Sequence, residues 1–200
     1  MQTRNDVYLN GTIVHKFVTP KIAILTIGTG NATPTQNFPK VLFFGDIIKE
    51  IDEKYNIGDH VDIVWNIQSS RRRPDIKNQN MVSIFGETIK FSESVMKETF
   101  GIDVGEKTFR YKNEINICGK VTGIEKKYSN LVKIRVETHK NDRLSYVNLV
   151  HYTNNPEKLL SEIKTGDNVY IIGCVQTTKK GTGDDIHHFE NYVATEIMKK

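Results

Sequence analysis

Arg71-Arg72-Arg73 is the only dense cluster of positive charge in the first half of this chain, and three adjacent guanidiniums can attract a polyanion such as nucleic acid. Other stretches offer chemistry at first sight and fail on spacing. Gly28-Thr29-Gly30-Asn31 contains GxG, but Ala32-Thr33-Pro34 follows where a nucleotide loop needs a helix or a Lys-Ser/Thr pair. It reads as the tip of a hairpin. Asp184-Asp185-Ile186-His187-His188 holds metal-ligand types, yet adjacent histidines on a strand point to opposite faces, so a solvated loop is expected. Cys118 and Cys174 are the only thiols and neither belongs to a CxxC pair, which excludes a disulfide framework or a zinc ribbon. Two buried free thiols are expected. His151 alternates in phase with Val147 and Leu149 and reads as a hydrogen-bonded core or boundary residue, not a base. No Ser/His/Asp, Cys/His or paired-carboxylate arrangement has a convincing spacing, so no catalytic residue, cofactor or metal is expected.

The composition agrees with a folded, charged chain. Its 200 residues are 38% hydrophobic and 26% charged, with 5 prolines and 14 glycines. No apolar run reaches the roughly 18 residues of a membrane span, and Met1-Gln2-Thr3-Arg4 opens no signal peptide, so a cytoplasmic protein is expected. Lys and Arg total 28 against 24 Asp and Glu, a net charge of +4. The excess is uneven: residues 1–106 carry 12 basic and 13 acidic side chains, residues 107–200 carry 16 and 11.

These residues are positioned by a structure written twice. Asp6-Val7-Tyr8-Leu9-Asn10-Gly11-Thr12-Ile13 is echoed by Glu114-Ile115-Asn116-Ile117-Cys118-Gly119-Lys120-Val121, an offset of 108. The same offset maps Ile57-Gly58-Asp59-His60-Val61 onto Thr165-Gly166-Asp167-Asn168-Val169, and Phe38 and Phe44 onto Tyr146 and Tyr152. Two copies of one domain are expected at 1–90 and 113–200, joined by a linker at 91–112 that carries a short helix and docks in part. Each copy has mainly period-two alternation, hence strands. First strands run through Val7–Ile13 and Ile115–Val121, second strands through Ile22–Ile27 and Val132–Val136, third strands through Phe38–Phe44 and Tyr146–Tyr152.

A helix follows in each copy. In the first, Ile47, Ile48, Ile51 and Tyr55 form a stripe behind Asp46 as N-cap; in the second, Leu159, Leu160 and Ile163 follow an Asn155 cap and Pro156. Gly58-Asp59 and Gly166-Asp167 end the helices, and two further strands complete each copy. Three strands, a helix and two strands is the order of an OB-fold, so the expected class is all-β with short helices: two tandem five-stranded Greek-key barrels.

The repeated residues resemble bacterial single-stranded DNA-binding proteins. Asn5-Asp6-Val7-Tyr8-Leu9-Asn10-Gly11-Thr12-Ile13 is similar to the family's first strand and Phe38-Pro39-Lys40-Val41-Leu42-Phe43-Phe44-Gly45 to its third. Ile57 to Val61 and Gln68-Ser69-Ser70-Arg71 resemble its fourth strand and the basic hairpin that follows, and Lys164-Thr165-Gly166-Asp167-Asn168-Val169-Tyr170-Ile171 repeats the match. The likeness spans both copies.

The resemblance implies binding without catalysis, with bases stacked on aromatic rings and basic side chains along the phosphates. Period-two geometry puts Phe38, Lys40, Leu42 and Phe44 on one face, and Tyr146, Asn148, Val150 and Tyr152 on its counterpart. The implied contacts are Phe38, Phe44, Tyr146 and Tyr152 for bases and Lys40, Arg71, Arg72, Arg73, Lys120, Lys179 and Lys180 for phosphates.

Three departures matter. The tryptophan that the family often places in the hairpin falls near Arg72 and Lys180, where charge stands in for a ring. Trp65 shares a face with Val61, Ile63 and Ile67 and reads as core. The chain ends Glu196-Ile197-Met198-Lys199-Lys200 in place of an acidic tail, so recruitment of replication proteins through such a tail is not expected, and a plasmid or phage protein is.

Single-stranded DNA is the expected partner, coated with little sequence preference in replication, recombination or transfer. Neither a membrane nor a small-molecule substrate is expected. Family members bring four OB domains together, so a homodimer of two-domain chains is expected. An RNA-binding OB protein and a protein-binding adaptor barrel are the rivals.

Overall fold

The computed structural model describes residues 4–30, 36–71, 80–92, 101–104, 107–110, 112–140, 143–180 and 187–200. The elements run β1 (Arg4–Thr19), β2 (Ile22–Gly30), β3 (Gln36–Asn37), β4 (Lys40–Phe43), α1 (Ile47–Lys54), β5 (His60–Arg71) and β6 (Asn80–Phe91). After these come β7 (Gly101–Val104), β8 (Lys107–Arg110), β9 (Lys112–Tyr128), β10 (Leu131–Lys140), β11 (Arg143–Tyr152), α2 (Pro156–Glu162), β12 (Asn168–Lys180) and β13 (His187–Lys199). The alternation seen in the sequence becomes burial: Val7, Leu9, Gly11 and Ile13 point inward from β1, and Ile134, Val136, Val147 and Leu149 from β10 and β11.

Contacts divide the chain into two units. One comprises Met1–Asp6, Ile67–Ser83 and Glu114–Lys200; the other comprises Val7–Asn66 and Ile84–Asn113. In the first unit β9 pairs with β10, β10 with β11, and β12 with both β13 and β9, all antiparallel. A short parallel ladder, Leu149 to His151 against Tyr192 to Ala194, joins β11 to β13 and closes the ring of five strands. A closed five-stranded barrel with a helix before its fourth strand is consistent with an OB-fold. Its interior is packed by fully buried Ile115, Ile117, Val121, Val132, Val136, Val147, Val169, Ile171 and Val175.

The second unit uses the same ladders. There β1 pairs antiparallel with β2 and β5, and β2 with β4; Val41 and Leu42 run parallel to Ile84 and Phe85 of β6. Val7, Ile13, Leu25, Ile27, Val41, Phe43, Ile51, Val61, Trp65 and Ile84 are inaccessible to solvent, so Trp65 fills core as expected. Gly173, its counterpart, has no room for a side chain, because a Cβ there would lie 2.2 Å from the Val193 carbonyl oxygen. Gly11 and Gly119 serve close approach in the same way: a Cβ would meet the carbonyl oxygen of Gly28 at 2.3 Å and of Glu137 at 2.1 Å.

The turn after each helix is built identically. Gly58 and Gly166 both adopt φ +98, which glycine reaches without steric cost. Their N–H groups donate to the carbonyls of Ile13 and Val121, 2.8 Å in each case, and Asp59 and Asp167 accept from the backbone N–H groups of Asn56 and Lys164. The helix starts differ. Asn155 accepts from Lys158 N at 3.1 Å with Pro156 behind it, as expected, whereas Asp46 makes no capping bond because its own backbone is already helical at φ -65, ψ -26.

Within 91–112, expected as a linker, Gly101–Val104 and Lys107–Arg110 pair antiparallel as β7 and β8; 93–100, 105–106 and 111 lie outside the described residues, and the expected short helix falls largely on them. One further expectation changes. The third strand of the first copy is divided, since β3 and β4 flank Phe38 and Pro39. Both cysteines are buried free thiols, and His151 is half-buried with Nδ1 2.9 Å from the Ala194 carbonyl oxygen.

Candidate nucleic-acid interface

In the first unit the outward faces of β9, β10 and β11 form three cross-strand rows. Lys120, Glu137 and Tyr146 make the first, Gly123, Arg135 and Asn148 the second, and Glu125, Lys133 and Val150 the third. Tyr152 stands opposite Leu131 at the end of the sheet and is 58% exposed. The Arg135 guanidinium lies over the Tyr146 ring, 4.7 Å from its centroid. An open pocket of about 340 Å³ lies beside it, lined by Gly123, Glu125, Lys133, Arg135, Asn148 and Thr165 among others.

The cations here divide into spent and available. Lys126 is tied to Glu157 at 2.7 Å, Lys199 to Asp167 at 2.8 Å, and Lys140 to Asp6 at 3.0 Å. Burial pushes the Asp6 carboxyl up, but hydrogen bonds from Arg4 and Lys140 outweigh it and hold the group below the usual carboxylate range. The hydrogen bond from Lys199, with that from Lys164 N, lowers Asp167 in the same sense. Lys120 and Lys133 are exposed and in no ion pair among the described residues.

The corresponding face of the second unit has the same rows and different chemistry. Phe17, Ile24 and Leu42 stand where Glu125, Lys133 and Val150 stand in the first unit; His15, Thr26 and Lys40 stand where Gly123, Arg135 and Asn148 do. Phe38 packs over Gly28 beside Val14, since a Cβ built on that glycine would find the Val14 side chain at 3.0 Å and the Phe38 ring at 3.6 Å. Phe44 is 48% exposed, and its ring stacks on Phe85 of β6 with centroids 5.3 Å apart. This face offers rings and aliphatic surface around a single Lys40, whereas the other offers charge around two tyrosines. Both arrangements suit unpaired bases: the first by stacking, the second by stacking together with phosphate neutralisation.

Of the residues expected to bind, Phe38, Lys40 and Phe44 share one face, and Lys120, Tyr146 and Tyr152 share the other. Tyr146 is not an open ring, because Arg135 covers it. Only the backbone of Arg71, Lys179 and Lys180 is described, and Arg72 and Arg73 lie outside the described residues. Asp184 and Asp185 do as well. Arg135, Lys133, Phe17 and Phe85 were not anticipated. The signal for Lys133 and Arg135 was present in the alternation of β10, but that for Phe17 and Phe85 lies in strand register, since a bulge between Ile13 and His15 exchanges the faces of β1.

No protein-family model and no curated protein matches the sequence. Solved structures do. A deletion mutant of the single-stranded DNA binding protein from Thermus aquaticus superposes with a TM-score of 0.68 over 100% of this chain and 95% of its own, at 15% identity. This chain has that fold. The wild-type Thermus protein gives a TM-score of 0.66, covering 100% of this chain and 94% of its own, again at 15% identity. At that identity the likeness concerns the path of the backbone, and the side chains on the two faces have to be judged by their own chemistry.

Proposed function

We propose that this chain is a binding protein, not an enzyme: a tandem pair of OB-fold barrels that coats and protects single-stranded DNA with little sequence preference. The observation that carries the reading is the recurrence, at the same repeat positions, of outward aromatic residues with cations beside them. The fold shared with the Thermus aquaticus single-stranded DNA binding protein supports it over the full chain. The barrels correspond to 1–90 and 113–200, with 91–112 between them. Phe38, Phe44 and Tyr152 serve the bases, with Tyr146 beneath the Arg135 guanidinium; Lys40, Lys120, Arg71, Arg72, Arg73, Lys179 and Lys180 serve the phosphates. Replication, recombination or transfer would supply such a strand. Two chains form a homodimer of about 46 kDa from 22.9 kDa subunits, which brings four barrels together.

Fluorescence anisotropy with labelled oligo(dT), a duplex of equal length and oligo(U) tests the proposal. Rings can stack only on unpaired bases, so oligo(dT) should bind at least about tenfold more tightly than duplex. Log affinity should fall linearly with log salt, with a slope of about 0.7 per phosphate neutralised. Equal affinity for duplex would refute the stacking interface, and tighter binding of oligo(U) would move the reading to RNA.

A further inference from the structure

The pocket beside β10 has a feature that the expected stacking role of Tyr146 does not accommodate. Arg135 lines the pocket together with Lys133, Asn148 and Gly123, whereas Tyr146 does not line it. The Arg135 that lines it is the residue whose guanidinium lies over the tyrosine ring. Arg135 Nε–H is buried and donates to no partner among the described groups, so the ring is the main compensation for its lost water. A guanidinium is planar and weakly hydrated, which lets its second face carry a further flat ring; an ammonium has no such face.

Cross-strand register fixes what surrounds that platform. Asn148 and Gly123 are the direct neighbours of Arg135, one on each side, and Lys133 is the next outward residue along β10, opposite Glu125. Asn148 thus brings an amide able to donate to or accept from a base edge, Lys133 a cation for a phosphate, and Gly123 the absence of any side chain above the floor. A Cβ on Gly123 would touch only the Arg135 Cβ, at 3.9 Å, so the opening above it is real space.

We infer that this pocket is a one-nucleotide subsite in which a base of the single strand stacks on the Arg135 guanidinium, held against Tyr146, and not on the tyrosine itself. The inference rests on the single-strand reading above and assigns its contact point in the first unit. Lys133 takes the adjoining phosphate. Tyr146 is then a positioning residue for Arg135.

Three variants of the full chain test this with oligo(dT): Arg135→Ala, Arg135→Lys and Gly123→Leu, each with its melting temperature. Loss of one stacked base should weaken binding about tenfold in Arg135→Ala. Arg135→Lys keeps the charge and loses the plane, so it should lose nearly as much. Gly123→Leu fills the opening without touching the core and should weaken binding similarly at an unchanged melting temperature. Wild-type affinity in Arg135→Lys would show that charge alone matters and would overturn the platform; wild-type affinity in Gly123→Leu would overturn the pocket. Even if Arg135→Ala unfolds, the other two variants decide the matter. Failure of the wild-type protein to bind oligo(dT) is a separate outcome, which removes the single-strand reading itself.

Discussion

Replacing Phe44 by alanine separates binding from stability, because its ring is half in solvent and half in contact. The exposed half can take a base, and its loss should cost about 1–3 kcal/mol of oligo(dT) affinity, roughly 5- to 150-fold. The buried half is worth roughly half of the 1.5–3 kcal/mol of a fully buried phenylalanine. The stack on Phe85 adds about 0.5–1.5 kcal/mol. Together these predict about 1–3 kcal/mol of lost stability, or a melting temperature lower by about 2–12 °C for a chain of this size. The neighbouring Phe43 is the control, being wholly buried and next in sequence. Phe43→Ala should cost about 3–5 kcal/mol of stability. Thermal unfolding by circular dichroism, with anisotropy titration of each variant at a temperature where it is folded, gives both quantities. If Phe44→Ala melted as low as Phe43→Ala while binding oligo(dT) like the wild type, the ring would be structural and the face would not be an interface.

Two other predictions concern features outside the interface. Asn155→Ala removes a capping bond and should destabilise by about 1 kcal/mol, whereas Asp46→Ala, where no such bond exists, should change little; urea midpoints of the two variants measure the contrast. Asp6 has a lowered folded-state value, so its contribution is present above the unfolded carboxylate value of about 3.9 and disappears as pH falls through the folded one. Asp6→Asn should therefore flatten the acid limb of a melting-temperature profile below about pH 5 and leave the slope at neutral pH unaltered.

The strands, the helices and their terminal turns were legible because each rests on local rules. Period-two alternation gave β1, β2, β9 and β10, and glycine followed by aspartate marked both turns at φ +98. The alternation of Val132, Ile134 and Val136 sets Arg135 outward, but its counterpart in the other copy was hidden by a single extra residue. Counted at the general offset of 108, Arg135 aligns with Ile27, which is buried. The β9–β10 ladder has two register shifts, and the one between Leu131 and Val132 absorbs one residue and moves β10 to an offset of 109. Arg135 then matches Thr26, the outward partner of Lys40. A one-residue slip exchanges the faces of a strand, and no composition reports it. Phe85 was hidden for a different reason, since its contact with Phe44 depends on a parallel ladder between strands far apart in sequence.

The unit that contains β9 to β13 also includes Met1–Asp6, and that membership sets an order of events during synthesis. Thr138 Oγ1 donates to the Arg4 carbonyl and Lys140 Nζ to the Asp6 carboxylate, each across 134 positions of chain. At about 5–20 residues per second the ribosome takes on the order of ten seconds to produce those partners. Asn5 finds its partner Ile67 after 62 residues, but the Arg4 carbonyl and the Lys140 contact of Asp6 wait for the whole interval. An unpaired strand end of this kind can join a neighbouring nascent chain. Arg4 and Asp6 pair with each other at 2.7 Å at the start of the strand, and charge at a strand edge works against such edge-to-edge joining.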